Sequence, residues 1–560
     1  MREEISDHPP VLAVPSGISR RGLLKGAGTA GIGLGIASLL TACGVSSSSS
    51  TSTATTGGKK GGTLTLGIDG TGGVFDPAFY DTIGDWMVVD SVCRGLTFID
   101  FVSNKAQPDL ATKWTVSDDG LTYVFTLREN VKMHDGTTFS SADVLRSYQR
   151  QFNPNDPSLP TGASRQIAAV GLNVASMAAT DAHTFTMVLK AKDALLPARL
   201  SDVGGRIISA AAIKKYGKDI GKHLVGSGPF EYVSSTSGQQ VVLKAFEGYW
   251  KGRAKVDRLV MQQIQDQSTI ISSLESGDIS ATQFTPYSAV KQLEASSSVT
   301  VYKTPNGADA MLFMDTRQAA LKELEVRQAI NLAIDRDAIL AKAFYGKGAL
   351  PKGYTIPPSQ ASYDPSLASL STKNVAKAKA LLESAGATGR TIKLISASDS
   401  WHVTAAQIIQ QNLEAIGLKV TTSSLTPAAY AGALFDPTSS SHDLMIWERN
   451  SYVPDPDNMI GALGSPSGVY GTFLTGWSTT SPAALATSIQ ASLTDAANTP
   501  NGSSRTAKYT AVQKTVADKI APFSMLAAFT NPVTSTTNVK GMNVAALSAH
   551  RCFMENATVN

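Results

Sequence analysis

"PDLATKWTVSDDGLTYVFTLRENVKMHDGTTFSSADVLRSYQR", Pro108 to Arg150, is the stretch on which the reading of the fold turns. Leu121, Tyr123, Phe125 and Leu127 recur at every second position, the period of a half-buried strand. Val131 and Met133 carry the pattern on to Asp135-Gly136, a turn signal. Ser140 and Asp143 then make an S-x-x-D helix start ahead of the remainder. The serine can accept from the free backbone N–H groups of the first turn, and the acid favours the positive helix end.

Outward from this stretch the same two periods alternate. "GTLTLGI" (Gly62 to Ile68), "HTFTMVL" (His183 to Leu189), "QVVLKAF" (Gln240 to Phe246) and "LKVTTSSL" (Leu418 to Leu425) read as strands. "TIISSLESGDIS" reads as a short helix stopped by Gly277, and "HVTAAQIIQQNLEAIG" as another stopped by Gly417. "EVRQAINLAIDRDAILAKAF" carries the strongest helical signal, with Val326, Ile330, Ala333, Ala338, Ile339 and Phe344 at helix-compatible intervals; one helix is expected there. Strands and helices mix without a simple repeat, as in an α/β or α+β chain.

The N-terminal segment is of another kind. "SRRGLLKGAGTAGIGLGIASLLTACG" (Ser19 to Gly44) places Arg20, Arg21 and Lys25 before a Gly/Ala-rich run too short and too glycine-rich for a confident membrane span. Ser19 to Lys25 resembles a twin-arginine export signal, and Leu40-Thr41-Ala42-Cys43 a lipobox whose cysteine is lipidated after cleavage. Residues 1–42 are thus expected to be a lipoprotein signal, with an ordinary N-terminal anchor as the alternative. The G-x-G-x-x-G match at Gly26 to Gly31 has no preceding strand, and a dinucleotide site is discarded. Residues 43–61, rich in Ser, Thr and Gly, read as a flexible tether.

Length and composition bound the rest. A chain of 560 residues with 42% hydrophobic residues exceeds one typical core, so two or three domains or lobes are expected. Net charge is +4 and no basic run suits nucleic acid, which is not an expected partner. No second segment is apolar enough to span a bilayer, so the body is expected outside the cell, on the extracytoplasmic face, held through Cys43. Cys93 and Cys552 remain as an even pair in an oxidising compartment; the sequence leaves open whether they bond or stay as two buried thiols.

Signatures of chemistry are missing. There is no G-x-S-x-G, H-E-x-x-H, P-loop or C-x-x-C, and neither Cys93 nor Cys552 has metal-ligand spacing. The seven histidines are scattered, and His134, beside the Asp135-Gly136 turn, is read as turn chemistry. No catalytic residue, metal or cofactor is assigned.

Taken in order, Pro108–Arg150, "LVGSGPFEYV" (Leu224 to Val233), "YWKGRAKVDRLV" (Tyr249 to Val260), "LESGDI" (Leu274 to Ile279) and "VRQAINLAIDRDAI" (Val326 to Ile339) resemble the family 5 extracellular solute-binding proteins, the peptide receptors of ABC importers. The resemblance implies a two-lobed, periplasmic-binding-protein-like α/β fold of type II, with an additional inserted domain and a hinge between the lobes. Transferred by motif position, lobe I takes 62–98, 205–312 and 521–560, the insert 99–204 and lobe II 313–520. It further implies a monomer that captures a di- or oligopeptide between lobes and hands it to a permease served by separate ATPase subunits. An oligosaccharide or other non-peptide solute is the alternative within that class; a secreted hydrolase or a surface sensor is the alternative outside it.

Ligand contacts are implied at "FDPAFYDTIGDW" (Phe75 to Trp86), with Asp76, Phe79 and Trp86, and at "HDLMIWERNSYVPDPDN" (His442 to Asn458). In the second segment an aspartate of peptide-binding members commonly receives the α-amino group. Ungapped alignment from Asp443 and Pro456 puts Tyr452 at that position, flanked by Asn450 and Ser451. A buried ammonium without a carboxylate is costly, so Asp455 or Asp457 would take over or the ligand lacks a free amine. Trp86, Trp401, Trp447 and Tyr452 could instead stack on a ring, although Trp401 and Trp447 read equally as core aromatics.

Overall fold

The computed structural model describes residues 61–560, apart from 80–81, 102, 104, 161–172, 304–306, 359, 427–428, 431, 434–440, 451–454, 467 and 469. The signal, the tether and Cys43 therefore lie outside the described residues, as does Tyr452. Thr63–Ile68 opens the ordered chain, and its alternation is what buries Leu64, Leu66 and Ile68. This strand is central to a seven-stranded sheet, flanked in parallel by Arg258–Gln263 and by Ala281–Thr282. Gln240–Ala245 and Phe230–Thr236 extend one edge, Val533–Thr536 and Val299–Tyr302 the other. Helix Ile83–Val92 contributes Met87, Val88, Val89 and Val92 to the core of this half.

A second sheet of six strands runs Gly348–Ala349, Phe523–Thr530, Gly307–Met314, Leu444–Asn450, Thr391–Ala397 and Lys419–Leu425. The helices Leu324–Ala333, Arg336–Lys342 and Ser400–Ala415 share one of its cores; helix Ser503–Lys519 packs into the other. Gly307–Met314 and Phe523–Thr530 are both strands of this sheet, so the chain passes between sheets just before Gly307 and at Asn531-Pro532. Those passages fall several residues from the 312 and 521 boundaries expected from motif position. The four-stranded sheet of Ala111–Val116, Thr122–Leu127, Thr184–Leu189 and Val174–Asp181, with helix Ser141–Phe152, has a core of its own within the span expected for the insert.

Local signals account for most element ends. The Ser140 N–H donates to Asp143 Oδ2 at 2.9 Å, fixing the start of the insert's helix. Gly277 closes its helix with φ +81° and Gly417 takes φ +101°, both left-handed conformations that a side chain would strain. The expected single helix over Glu325–Phe344 is instead two, Leu324–Ala333 and Arg336–Lys342, separated by an extended Ile334. Asp335 causes the break: its carboxylate accepts from the Ala338 N–H at 2.8 Å as an N-cap, and its own N–H donates to Asn412 Oδ1 at 2.7 Å. Arg336 is then carried inside, where it donates to the Met525 carbonyl at 2.8 Å and to Ser524 Oγ at 2.6 Å.

Buried polar pairs tie the pieces together. His134 does more than shape a turn: its Nδ1 accepts from the Gly226 N–H at 3.3 Å and its Nε2–H faces the Gly228 carbonyl at 3.0 Å, joining the insert to the first half. Asp90 receives Arg551 Nε at 2.5 Å and Arg206 Nε at 2.8 Å, which anchors the C-terminal segment to helix Ile83–Val92. Cys93 and Cys552 are both buried and both free thiols, so the pair is not bridged.

Candidate functional site

Parallel strands present their carboxyl ends, and the loops after them, along one edge of a sheet, the usual place for a ligand in α/β folds. In the first sheet Thr63–Ile68 is followed by Asp69, and Ala281–Thr282 by Gln283. In the second sheet Thr391–Ala397 is followed by Asp399 and Ser400 at the start of helix Ser400–Ala415. The two edges meet: Ser400 Oγ donates to Gln267 Oε1 at 3.2 Å, and Gln267 begins the helix Gln267–Ser276 of the first half.

Asp69 is solvent-exposed at the end of its strand, with protein packed around it. That surrounding protein, and secondarily the charge of Asp399, push its carboxyl up to about 6. Asp399 accepts from His402 Nδ1 at 2.6 Å, and Nε2 of this buried imidazole has no hydrogen-bond partner among the described residues. Tyr287 and Tyr430 lie in the same neighbourhood: burial raises both phenols well above their ordinary value, assisted by Glu448 and Asp399. Trp447 stacks on Tyr430 with centroids 5.5 Å apart, and Glu448 Oε1 lies 3.6 Å from His550 Nε2. Asp399 and Glu448 of the second half thus act on the same two buried phenols, and Asp399 also acts on Asp69 of the first half.

The residues expected from sequence are distributed differently. Asp76 is fully buried and gripped by Arg150, Nη1 to Oδ1 at 2.6 Å and Nη2 to Oδ2 at 2.8 Å. Asp455 is held the same way by Arg505 at 2.7 and 2.8 Å, and Asp457 by Arg199 Nη2 at 2.5 Å. All three carboxylates are thus spent on protein cations, so none stands ready for a ligand ammonium. Trp401 is 3% exposed inside the second core, its ring 5.0 Å from Phe344 and 5.4 Å from Phe529. Phe79 is half-buried beside Asp76, and Trp86 is half-buried against the first core. Asn450 ends strand Leu444–Asn450 opposite Ala308. Of the expected residues that are described, two are tied to the region of Asp399 and Glu448: Trp447 through its stacking on Tyr430, and Trp401 through its stacking on His402 with centroids 3.5 Å apart.

Sequence reading missed Asp69, Gln283, Asp399, His402 and Glu448. The usable signal was positional: Asp69 directly follows a strand, and Asp399 directly precedes a helix. Two open surface depressions lie elsewhere, about 480 Å³ beside Arg146 and Asp156 and about 760 Å³ along Ala486 to Asn498. Among the described residues no group of three or more His, Cys, Asp or Glu is arranged to hold a metal, and no helix is long and apolar enough to cross a membrane.

Comparison with known proteins gives this architecture a setting. The family profile described as bacterial extracellular solute-binding proteins, family 5 Middle, matches residues 105–471. The glutathione-binding protein GsiB of Escherichia coli O1:K1 is 32% identical over 347 residues, 59% of this chain; the chain spans 63% of that relative's length. Among solved structures, the periplasmic binding protein DppA of Helicobacter pylori in complex with the peptide STSA superposes with a TM-score of 0.79 at 24% identity, covering 90% of this chain and 98% of that one. AgaA of A. tumefaciens R10 in complex with agropinic acid gives 0.77 at 24% identity, covering 89% and 99%. These neighbours share the two-lobed fold of periplasmic binding proteins.

Proposed function

The chain belongs to the family 5 bacterial extracellular solute-binding proteins, and from that premise we propose that it captures a small peptide-like solute between its two halves and releases it to an ABC permease. The observation that carries this reading is the meeting of the two halves where Ser400 Oγ, next to Asp399, donates to Gln267 Oε1 of the first half at 3.2 Å, with Asp69 at the carboxyl end of the first half's central strand. A carboxylate on each half is matched by a shared cation, and a ligand ammonium is such a cation. Contacts to both halves exist only when they are closed, so the ligand shifts the population toward closure.

Binding of this kind asks no covalent step of any residue, and ATP is hydrolysed by a separate subunit. Lipidation of Cys43 would tether the receptor at the extracytoplasmic membrane face and raise its concentration near the permease. The working unit is a single copy of the chain. The ammonium requirement favours a peptide over an oligosaccharide, which has no cation for the Asp69–Asp399 pair.

The test is native mass spectrometry of the purified protein for a co-purifying small molecule, followed by calorimetric titration with glutathione and the tetrapeptide Ser-Thr-Ser-Ala. Binding that weakens tenfold or more in Asp399→Asn supports the reading. A protein that carries no small molecule and shows no heat and no thermal shift with either peptide refutes it.

A further inference from the structure

Gln283 is 1% exposed, and both atoms of its side-chain amide, Oε1 and Nε2, lack a hydrogen-bond partner. Such a group is expensive: each unsatisfied buried amide atom costs free energy that a partner would return, and buried polar atoms in native proteins are overwhelmingly paired. Buried Gln513, by comparison, leaves only its Nε2 unpaired and uses its Oε1 to accept from the N–H and hydroxyl of Thr355, both at 3.1 Å.

The backbone around Gln283 is fully engaged. Strands Thr63–Ile68 and Ala281–Thr282 pair in parallel, with Leu66 beside Ala281 and Gly67 beside Thr282. The Gln283 N–H continues the ladder, donating to the Gly67 carbonyl at 3.1 Å, two residues before Asp69. Immediately afterwards the chain leaves the first sheet. The Thr285 N–H donates to the Pro532 carbonyl at 2.8 Å, Phe284 packs against the second core and Tyr287 belongs to it. Gln283 thus stands at the carboxyl edge of the first sheet, where the two halves join.

We infer that Gln283 is a ligand-binding residue whose amide pairs with the main chain of an extended peptide, donating to the carbonyl and accepting from the N–H of one peptide residue. The inference rests on the peptide reading above and deepens it. In an extended chain the N–H and C=O of a given residue point to the same edge, which is how antiparallel strands exchange two bonds per pair. A carboxamide offers the matching donor and acceptor side by side. Recognition through the main chain gives affinity without regard to side-chain identity. With the halves as they stand the amide is shut off from solvent, so the ligand meets it while they are apart and is enclosed as they close.

Gln283→Met keeps the length of the side chain and removes its polarity. The ligand-free variant is expected to melt about 1 °C higher than the wild type, because a penalty has gone. Its affinity for Ser-Thr-Ser-Ala is expected to fall at least tenfold. A second probe isolates the contact: analogues of the same tetrapeptide with each backbone N–H in turn replaced by an ester oxygen. One ester position should weaken wild-type binding about tenfold and leave Gln283→Met unaffected. Equal affinity of wild type and Gln283→Met for the parent peptide overturns the inference and assigns the amide to an internal water. Failure of the wild type to bind glutathione or the tetrapeptide at all overturns the peptide reading itself, and the inference with it.

Discussion

Asp76, at the edge of the first half, and Arg150, near the end of the insert's helix, form a two-pronged ion pair in which both side chains are no more than 1% exposed. Their 74 residues of sequence separation make this pair a clasp between two independently cored regions. Removing one partner leaves the other charge buried without compensation, which typically costs about 3–5 kcal/mol. Asp76→Ala is therefore expected to lower the denaturant midpoint sharply, while Asp76→Leu combined with Arg150→Met recovers part of the loss. Equal stability of the single and double variants would show that the charges are not coupled.

His134 should behave as a second clasp with a pH signature. Burial lowers its pKa, so the folded protein favours the neutral ring that bonds Gly226 and Gly228. Because the folded value lies below the unfolded one, this contribution is present above about pH 6.5 and lost as pH falls below it. His134→Ala is expected to cost about 2 kcal/mol at pH 7.5 and less at pH 5. Hydrogen exchange of Leu224 to Phe230 measures it: faster exchange in the variant at neutral pH, converging with wild type in acid.

Asp69 has the opposite sign. Its folded carboxyl titrates near 6 against an ordinary value near 3.8, so the folded state binds more protons between those values and this group favours folding less as pH rises through that window. Above about pH 6 the contribution is flat. The difference in melting temperature between Asp69→Asn and wild type is expected to grow from pH 4 to pH 7 in favour of the variant. A difference independent of pH would mean that the folded chain does not hold the Asp69 carboxyl above its ordinary value.

Cys93 and Cys552 are unbridged, and burial raises both thiols, Cys552 to about 12 and Cys93 beyond its ordinary range. Native protein treated with iodoacetamide at pH 8 should leave the peptides carrying both cysteines unmodified. Unfolding without reductant should label both, as peptide mass spectrometry will read directly. Absence of labelling in the unfolded chain would demonstrate a disulfide.

How much of this was legible in advance follows a physical divide. Leu64, Leu66 and Ile68 announced their strand because burial of alternate side chains is a property of neighbours in sequence, and the Ser140–Asp143 start was legible for the same reason. Asp335 shows the limit of local reading: the apolar spacing across Glu325 to Phe344 suits one helix, yet an N-cap bond and Asn412, 77 residues away, divide it.

The sequence by itself determined strands such as Thr63–Ile68, the start of helix Ser141–Phe152 and, through its motifs, the family. Which carboxylates are available to a ligand was decided only in three dimensions. Asp76 and Asp455 look as free in the sequence as Asp69, and they are committed because Arg150 and Arg505, 74 and 50 residues distant, fold back onto them. A charge is neutralised by whatever lies within a few ångströms of it, and distance along the chain carries almost none of that information.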